Sequence, residues 1–192
     1  MLDFGCGFGS LVDHLRRRGF DATGVDLLES QVWAGRDRFP DADIRLGTPR
    51  SLPFADRTFD TVVFKESLHH LVAESDVQSE LADVARVCTR RVIVFEPNPS
   101  IPLRIGRTLI GHVDPMLPPS GARALLEDAG FAVSSVAYLA ALVFPLSGGY
   151  VGRPLLSRSA SARLLRFDDR IVRLLGSRVA WRYLMVADKV TA

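Results

Sequence analysis

The sequence predicts an α/β protein whose sheet is mostly parallel. Over the first two thirds of the chain, short runs of β-branched and apolar residues alternate with amphipathic windows of helical period. That alternation is typical of βαβ units, in which a helix connects two parallel strands. A glycine-rich turn at 5–9, directly after the first apolar run, and a continuous apolar run within 91–96 favour the same fold class.

The strands are predicted from the apolar runs. The chain begins inside a first strand, and Val62 and Val63 lie at the centre of the fourth. The fifth run is apolar throughout its middle, as expected of a strand that is buried on both faces. The predicted strands are 1–4, 22–26, 44–46, 61–64, 91–96, a sixth that begins at Phe131 and a seventh at 181–190.

The helices are predicted from apolar residues that recur three and four positions apart. Leu11, Val12 and Leu15 predict a helix that ends at Gly19. Ser120 is the expected N-cap of a helix that ends at 130. Further helices are predicted near 30–39, 75–88, 102–110 and 164–175.

The length and composition favour one globular domain over residues 1–192. Hydrophobic residues make up 47% of the chain and charged residues 24%. The net charge of +2 and the absence of a dense basic run argue against a nucleic-acid partner. The longest apolar stretch, 136–146, is shorter than the roughly 20 residues that span a bilayer, so no membrane span is predicted.

The two cysteines, Cys6 and Cys88, are too few for a disulfide framework. Neither has a histidine at metal-ligand spacing, so no metal site is expected. A reducing cytoplasmic setting fits this cysteine content. The N-terminus also lacks the charged and apolar leader of a secretory signal, which favours the same location.

The turn Gly5-Cys6-Gly7-Phe8-Gly9 predicts a site for a small ligand. Glycines allow positive φ angles and let a ligand approach the backbone at the start of a helix. Asp26 follows Gly5 by 21 positions, at the end of the second predicted strand, where a carboxylate can accept hydrogen bonds from both ribose hydroxyls. Ser10 stands where the dinucleotide fingerprint has its third glycine, which disfavours NAD.

The glycine turn, in the segment Leu2-Asp3-Phe4-Gly5-Cys6-Gly7-Phe8-Gly9, closely resembles the first motif of class I S-adenosylmethionine-dependent methyltransferases. Three later segments are similar to the same family, and the resemblance covers most of the chain: Gly24-Val25-Asp26, LPFADRTFD at 52–60 and LHHL at 68–71. It implies a Rossmann-like, doubly wound sheet of seven strands whose last strand is antiparallel. The cofactor would lie across the carboxyl ends of the first strands.

The resemblance also implies a set of cofactor-binding residues. Asp3 would order the methionine end of S-adenosylmethionine, the turn glycines would let the cofactor approach, and Asp26 would hold the ribose. The backbone around Lys65 would border the methyl group. The full set is Asp3, Gly5, Gly7, Gly9, Asp26, Leu27, Thr48 and Lys65.

Two departures from the family pattern affect this site. The family commonly has Gly-Asp-Ala after the third strand, with the Asp holding the adenine amine, but here Gly47 is followed by Thr48 and Pro49. The Thr48 hydroxyl is therefore the candidate for that contact. The chain also starts without the N-terminal helix that usually covers the cofactor, so either another segment covers the site or the chain is a shortened piece.

His69 and His70 follow the fourth strand and are the candidates for a general base, because histidine titrates near neutral pH. Adjacent residues on a helix point in different directions, so one of them at most is expected to face the site. We predict that this catalytic residue is His70, and weigh it equally against a packed or solvent-facing histidine. The pair lacks the i, i+4 spacing of helical metal ligands, which disfavours a metal role.

The later part of the chain is predicted to form the substrate side. Glu96 and Asn98 either line that side or only accompany prolines that redirect the chain. An insertion at about 139–180, between a core of 1–138 and the last strand at 181–190, would supply an apolar substrate lid or a homodimer face. The helix at 164–175 has an apolar stripe and an arginine-bearing face, which permits peripheral membrane contact, although a core-facing helix is favoured.

The favoured function is methyl transfer from S-adenosylmethionine to a small-molecule or lipid-like acceptor. An NAD-dependent oxidoreductase would use the same turn and Asp26, but the chain lacks a Tyr-x-x-x-Lys pair. A non-catalytic methyltransferase-like binding protein is the third hypothesis, to which the missing N-terminal helix and Thr48 point. These alternatives differ in whether the site binds S-adenosylmethionine and whether it transfers the methyl group.

Overall fold

Seven strands form one sheet in the computed structural model of the chain, which describes residues 1–47, 51–74, 76–109, 111, 115–147 and 155–190. The strands are β1 (Leu2–Phe4), β2 (Thr23–Asp26), β3 (Asp43–Leu46), β4 (Phe59–Lys65), β5 (Cys88–Pro97), β6 (Phe131–Leu139) and β7 (Arg182–Lys189). The helices are α1 (Ser10–Arg17), α2 (Glu29–Arg38), α3 (Leu68–Glu74), α4 (Val77–Val87), α5 (Ile101–Leu109), α6 (Pro119–Asp128), α7 (Val143–Leu146) and α8 (Arg158–Leu175).

The strand order is β3-β2-β1-β4-β5-β7-β6. The first five strands pair in parallel, and β7 pairs antiparallel with both β5 and β6. The predicted α/β fold with seven strands and an antiparallel last strand is therefore confirmed. Chain order reverses between β1 and β4, and in such sheets ligands bind in the crevice outside the carboxyl ends of the strands at that point.

The core lies around the central strands. Leu2, Val62, Phe64, Val92 and Val94 are fully buried, as the continuous apolar runs in their strands require. Residues of α4 and α6 pack against the same cluster. This packing holds β1, β4 and β5 in a fixed arrangement, so their carboxyl ends form a rigid edge.

Two predicted element boundaries are wrong. The helix predicted at 75–88 is α4, which ends at Val87, and Cys88 already belongs to β5. The predicted N-cap Ser120 lies inside α6, because Pro118 is the N-cap and Pro119 occupies the first helical turn. The fixed φ of proline suits that position, where the missing N–H has no intrahelical partner.

The helix predicted at 164–175 does not face the core. It is the second half of α8, in which Asp168 is the buried residue among the described side chains, while Phe167 and Leu174 are 55% and 83% exposed. The reason is its position, since α8 contacts the short α7 and the edge strand β6 instead of a sheet face. In the parts of the chain that the structure describes, no helix is both long enough and apolar enough to cross a bilayer.

Candidate functional site

The glycine turn connects β1 to α1 at the reversal point of the sheet. Gly7 and Gly9 have φ angles of +55° and +77°, which non-glycine residues rarely adopt. A Cβ on Gly9 would lie 2.3 Å from Ile44 Cδ1, so this glycine lets α1 pack closely against β3. A Cβ on Gly7 would meet only Gln31 Oε1, at 4.0 Å. Gly7 is therefore the open part of the turn and Gly9 the packed part.

Asp26 fastens this turn to the end of β2. Its Oδ2 accepts a hydrogen bond from Gly7 N at 2.7 Å, and its Oδ1 accepts one from Leu28 N at 2.9 Å. Each carboxylate oxygen keeps a second acceptor position. Asp26 can therefore hold the loop in shape and still accept hydrogen bonds from a ligand.

A cavity of about 1010 Å³ opens beside the turn, at the carboxyl ends of β1, β2 and β4. Its floor is the turn itself, and its far wall is formed by α3 and α4. Six of the residues predicted from sequence line it: Gly5, Gly7, Asp26, Leu27, Lys65 and His70. Thr48 lies outside the described residues. Asp3 and Gly9 lie behind the lining.

Asp3 is buried directly below the turn, with 3% of its surface exposed. Its Oδ1 has no hydrogen-bond partner among the described residues. Burial raises the pKa of Asp3 to about 7, an effect that Lys65 opposes and the carboxylate of Asp26 adds to. A buried carboxyl oxygen without a partner is costly, and a cationic hydrogen-bond donor would remove that cost.

The cavity lining is acidic. Four carboxylate residues line it, against one lysine: Asp26, Glu66, Asp76 and Glu80, with Lys65. Glu66 is paired with Arg182, which leaves three carboxylates against Lys65, and an excess of one sign in low-dielectric walls attracts ligands of the opposite sign. The lining therefore complements a positively charged ligand.

The two histidines after β4 occupy different environments. His69 is 4% exposed and its Nδ1 bonds to Glu96 Oε2, whereas His70 lines the cavity. The two rings are 4.2 Å apart between centroids. The residue chosen from sequence is thus the one that reaches the cavity wall.

Glu96 does not line the substrate side, which was one of its two predicted roles. Its side chain is fully buried, and its Oε1 accepts hydrogen bonds from Ser67 N at 2.9 Å and Leu68 N at 2.8 Å. With the bond to His69, Glu96 holds the first turn of α3 and so positions His70. The sequence contains no local signal for this role, because its partners are 27 to 29 residues away.

Asn98 also has a structural role. Its Nδ2 donates to Ser177 O at 2.7 Å and to Ala180 O at 2.8 Å, which ties the start of the α5 connection to the segment that follows α8. Neither Glu96 nor Asn98 contributes to the cavity lining. Within the insertion predicted at about 139–180, residues 148–154 lie outside the described residues.

One wall residue connects the cavity to the outer helices. Glu66, which lines the cavity, accepts a hydrogen bond from Arg182 Nε at 2.8 Å through its Oε1. The Arg182 guanidinium lies 4.4 Å from the centre of the Phe144 ring in α7. Glu66 and Arg182 are 116 residues apart in the chain, so no local sequence pattern predicts their contact.

A buried aspartate holds α7 in place. Asp168 is 2% exposed, and its carboxylate accepts hydrogen bonds from the backbone N–H groups of Ala141, Leu142 and Val143. In the described part of the chain, no three His, Cys, Asp or Glu side chains are grouped so that they could hold a metal ion.

Comparison with known proteins identifies a family model and several relatives. Residues 2–95 match the model of a methyltransferase domain. The chain is 32% identical over 139 residues to a probable S-adenosylmethionine-dependent methyltransferase of Mycolicibacterium smegmatis, covering 69% of this chain and 52% of that protein. It is 29% identical over 103 residues to a demethylmenaquinone methyltransferase of Paenarthrobacter aurescens, covering 54% of this chain and 41% of that protein. The chain thus spans about half the length, or less, of these curated relatives.

Among solved structures, a SAM-dependent methyltransferase from Archaeoglobus fulgidus superimposes with a TM-score of 0.68. The alignment covers 98% of this chain and 85% of that chain, at 19% sequence identity. A likeness at this identity shows a shared fold. It extends through the strands and helices that follow residue 95.

Proposed function

We propose that this chain, which belongs to the class I S-adenosylmethionine-dependent methyltransferase family, binds S-adenosylmethionine in the cavity beside the glycine turn and transfers its methyl group to a small or lipid-like acceptor. S-adenosylmethionine is the cofactor of this family. The observation that carries the proposal is the buried Asp3 oxygen without a partner, next to an acid-lined cavity.

The residues present fit this cofactor. An ammonium group would give Asp3 the charged donor that its Oδ1 lacks among the described residues. The carboxylate excess of the lining complements the positive sulfonium, and Asp26 has acceptor positions left for ribose hydroxyls. Gly7 leaves the backbone open for close approach. Asp3, Gly7, Asp26 and Leu27 would hold the cofactor, and Lys65 would border the methyl group.

The chemistry asks little of the protein's own side chains. When bound, S-adenosylmethionine supplies a methyl group that its sulfonium already activates. The protein must align the acceptor, exclude water and, for an acceptor that loses a proton, accept that proton. His70 is the residue we assign to the last step, and Glu96 and His69 position it through the first turn of α3.

The cavity surroundings support an acceptor with apolar character. Phe8, Leu27 and Leu28, at the cavity, remain 45%, 40% and 61% exposed. Leu71 adds a buried apolar contact on the α3 wall. One curated relative carries demethylmenaquinone in its name, which makes this compound the first acceptor to test.

Calorimetry with S-adenosylhomocysteine tests cofactor binding. We expect saturable binding by the intact chain. In Asp26→Asn the affinity should be about tenfold weaker or more, because the backbone N–H of either Gly7 or Leu28 loses its carboxylate acceptor. Asp37→Asn, an exposed change on α2, is the matched control and should bind like the original chain. No heat with S-adenosylhomocysteine, or saturable heat with NAD⁺ instead, would refute the cofactor assignment.

Transfer of a labelled methyl group to demethylmenaquinone tests catalysis. His70→Ala should lower kcat by about 10²-fold or more, while S-adenosylhomocysteine affinity stays the same. His14→Ala, at an exposed position of α1, is the control. Equal rates in the two variants would exclude His70 as a base. Cofactor binding without transfer to this or any other small or lipid-like acceptor would favour the non-catalytic binding protein.

A further inference from the structure

Helix α8 exposes a stripe in which arginines and apolar residues alternate. Arg163, Phe167, Arg170 and Leu174 are spaced i, i+4, i+7 and i+11, so they share one face, and all four are exposed. We call these four residues the outer stripe. Phe167 and Leu174 are 55% and 83% exposed, so this one face presents both large apolar side chains and guanidinium groups.

The charge of α8 is unusual within the chain. Residues 158–175 carry five arginines and two aspartates, a formal charge of +3, whereas the whole chain carries +2. One of those aspartates, Asp168, is turned inward to hold α7. Elsewhere arginines pair with carboxylates, for example Arg86 with Asp83 and Arg123 with Glu127. Within the described ranges, the exposed arginines of α8 take part in no such pair.

The topology places α8 at the same edge of the sheet as the cavity. β6 ends at Leu139, which pairs with Arg182 at the start of β7, and β5 ends at Pro97, which pairs with the same residue. Everything between β6 and β7, including α7 and α8, therefore leaves and re-enters the sheet at the carboxyl ends of the parallel strands. The contacts of Glu66 with Arg182, and of Arg182 with Phe144, continue from the cavity wall to α7.

A second apolar stripe lies at this edge. Ile101, Ile105 and Leu109 of α5 are spaced four residues apart and are 66%, 56% and 80% exposed. α5 follows β5 at its carboxyl end, and Asn98 ties its start to the segment after α8. Two helices with exposed apolar stripes are thus connected to the sheet at the edge where the cavity opens.

We infer that α8 lies on the surface of a membrane that contains anionic lipids, with Phe167 and Leu174 in the boundary between headgroups and acyl chains and the arginines at the lipid phosphates. The alternation of the outer stripe fits such a boundary, since arginine buries its aliphatic stem and keeps its guanidinium among headgroups. The inference deepens the proposed function, because a lipid-like acceptor would then enter the cavity from the membrane on which the enzyme lies.

The charge distinguishes this occupant from the others. A second copy of the chain would bring the same unpaired arginines against the first, and like charges at an interface oppose association. A nucleic acid would satisfy the arginines but leave Phe167 and Leu174 in water, since its phosphate surface is polar. An anionic lipid surface satisfies both kinds of side chain at once.

Co-sedimentation with vesicles tests the inference without any cofactor or turnover. The probes are vesicles of phosphatidylcholine with about one third phosphatidylglycerol, and vesicles of phosphatidylcholine alone. We expect binding to the anionic vesicles that weakens as salt is raised. Arg163→Gln/Arg170→Gln should weaken it by about 25-fold, from about fivefold for each arginine, and Phe167→Ala/Leu174→Ala by about tenfold or more.

Matched controls lie on the opposite edge of the molecule. Phe20 is 53% exposed, close to the 55% of Phe167, but it precedes β2 at the amino ends of the strands. Phe20→Ala should leave vesicle binding unchanged, and so should Arg18→Gln/Arg57→Gln, which removes the same charge as the α8 arginine pair. All of these positions are exposed, and unchanged thermal midpoints will show that the variants fold.

Three outcomes would overturn the inference. They are no binding to anionic vesicles, equal losses in the outer-stripe variants and their controls, and a dimer in sedimentation velocity that Phe167→Ala/Leu174→Ala dissociates while vesicle binding stays absent. The last result would assign the face to a second copy. S-adenosylhomocysteine binding is measured in a separate experiment. Absence of vesicle binding therefore does not refute the cofactor assignment, and absence of S-adenosylhomocysteine binding does not refute vesicle binding.

Discussion

The glycine turn and the outer helices are stabilised in different ways. In the turn, backbone geometry determines the structure: glycines adopt positive φ angles, and Asp26 bonds to backbone N–H groups within the same βαβ unit. In the outer segments 98–109, 139–147 and 155–181, single buried side chains hold whole elements from a distance. Asp168 holds α7 from 25 to 27 residues away, and Asn98 holds the end of the α8 segment from about 80.

This difference in stabilisation makes the glycine turn the rigid part of the molecule and the outer helices the more adaptable part. Close packing at Gly9, where an added Cβ would clash, restricts the turn to one backbone conformation. A ligand therefore meets a preorganised backbone. The outer helix α7 is held by the Asp168 carboxylate and by the contacts of Phe144 with Trp181 and Arg182, so we expect its loss to disturb the sheet less than a change in the turn.

The largest effect is expected from Gly9→Ala. The new Cβ would lie 2.3 Å from Ile44 Cδ1. Ile44 cannot withdraw freely, because its Cδ1 is also packed against Gly35, so closely that a Cβ built on Gly35 would lie 2.8 Å from it. Together with the positive φ, this should lower the free energy of unfolding by about 3 kcal/mol. The control is Gly19→Ala at the other end of α1, where φ is +84° but nothing lies within 4 Å, and about 1 kcal/mol is expected. Urea denaturation measures both, and equal losses would show that packing against β3 does not matter.

A smaller and more local effect is expected from Asp168→Ala. Three backbone N–H groups would lose their acceptor, so α7 should lose its support at a cost of about 2 kcal/mol. Trp181, whose ring centroid is 5.3 Å from that of Phe144 in α7, should report the change in its fluorescence. Asp169→Ala, the exposed neighbour, should change stability by less than about 0.5 kcal/mol. If amide exchange rises throughout the sheet in Asp168→Ala, α7 and α8 do not unfold independently of the sheet.

The sequence allowed prediction of the backbone-determined region. The strands up to residue 97, the turn and the pairing with Asp26 follow from short patterns, because glycine requirements and parallel-strand periodicity act over few residues. The resemblance to one family then supplied the number of strands and the antiparallel direction of β7. The expectation of one domain over 1–192 stays a prediction, as do the individual roles of the site residues.

The remaining features could not be predicted because they depend on contacts between residues far apart in the chain. Nothing in the local sequence of Glu96 distinguishes a residue lining a cavity from one that holds α3, and Asp168 looks like any solvated acid on an arginine-rich helix. The exposure of Phe167 and Leu174 depends on α8 lying at the sheet edge, which no helical periodicity specifies. Amphipathicity indicates that a helix has two faces and leaves open what each face meets.

At Asp3 a buried side chain, and not the backbone, lowers the stability of the turn region. Burial raises its folded-state pKa to about 7, above the usual value near 3.8, so the folded protein keeps a proton there that the unfolded chain releases. The free energy of unfolding should therefore fall by about 1 kcal/mol per unit as pH rises from about 4 to 7, and then level off. In Asp3→Asn this fall should disappear, whereas Asp37→Asn should keep it. Saturating S-adenosylhomocysteine should reduce the slope in the original chain, since an ammonium group beside the carboxylate favours its ionised form. An unchanged slope in Asp3→Asn would mean that another group sets the pH dependence.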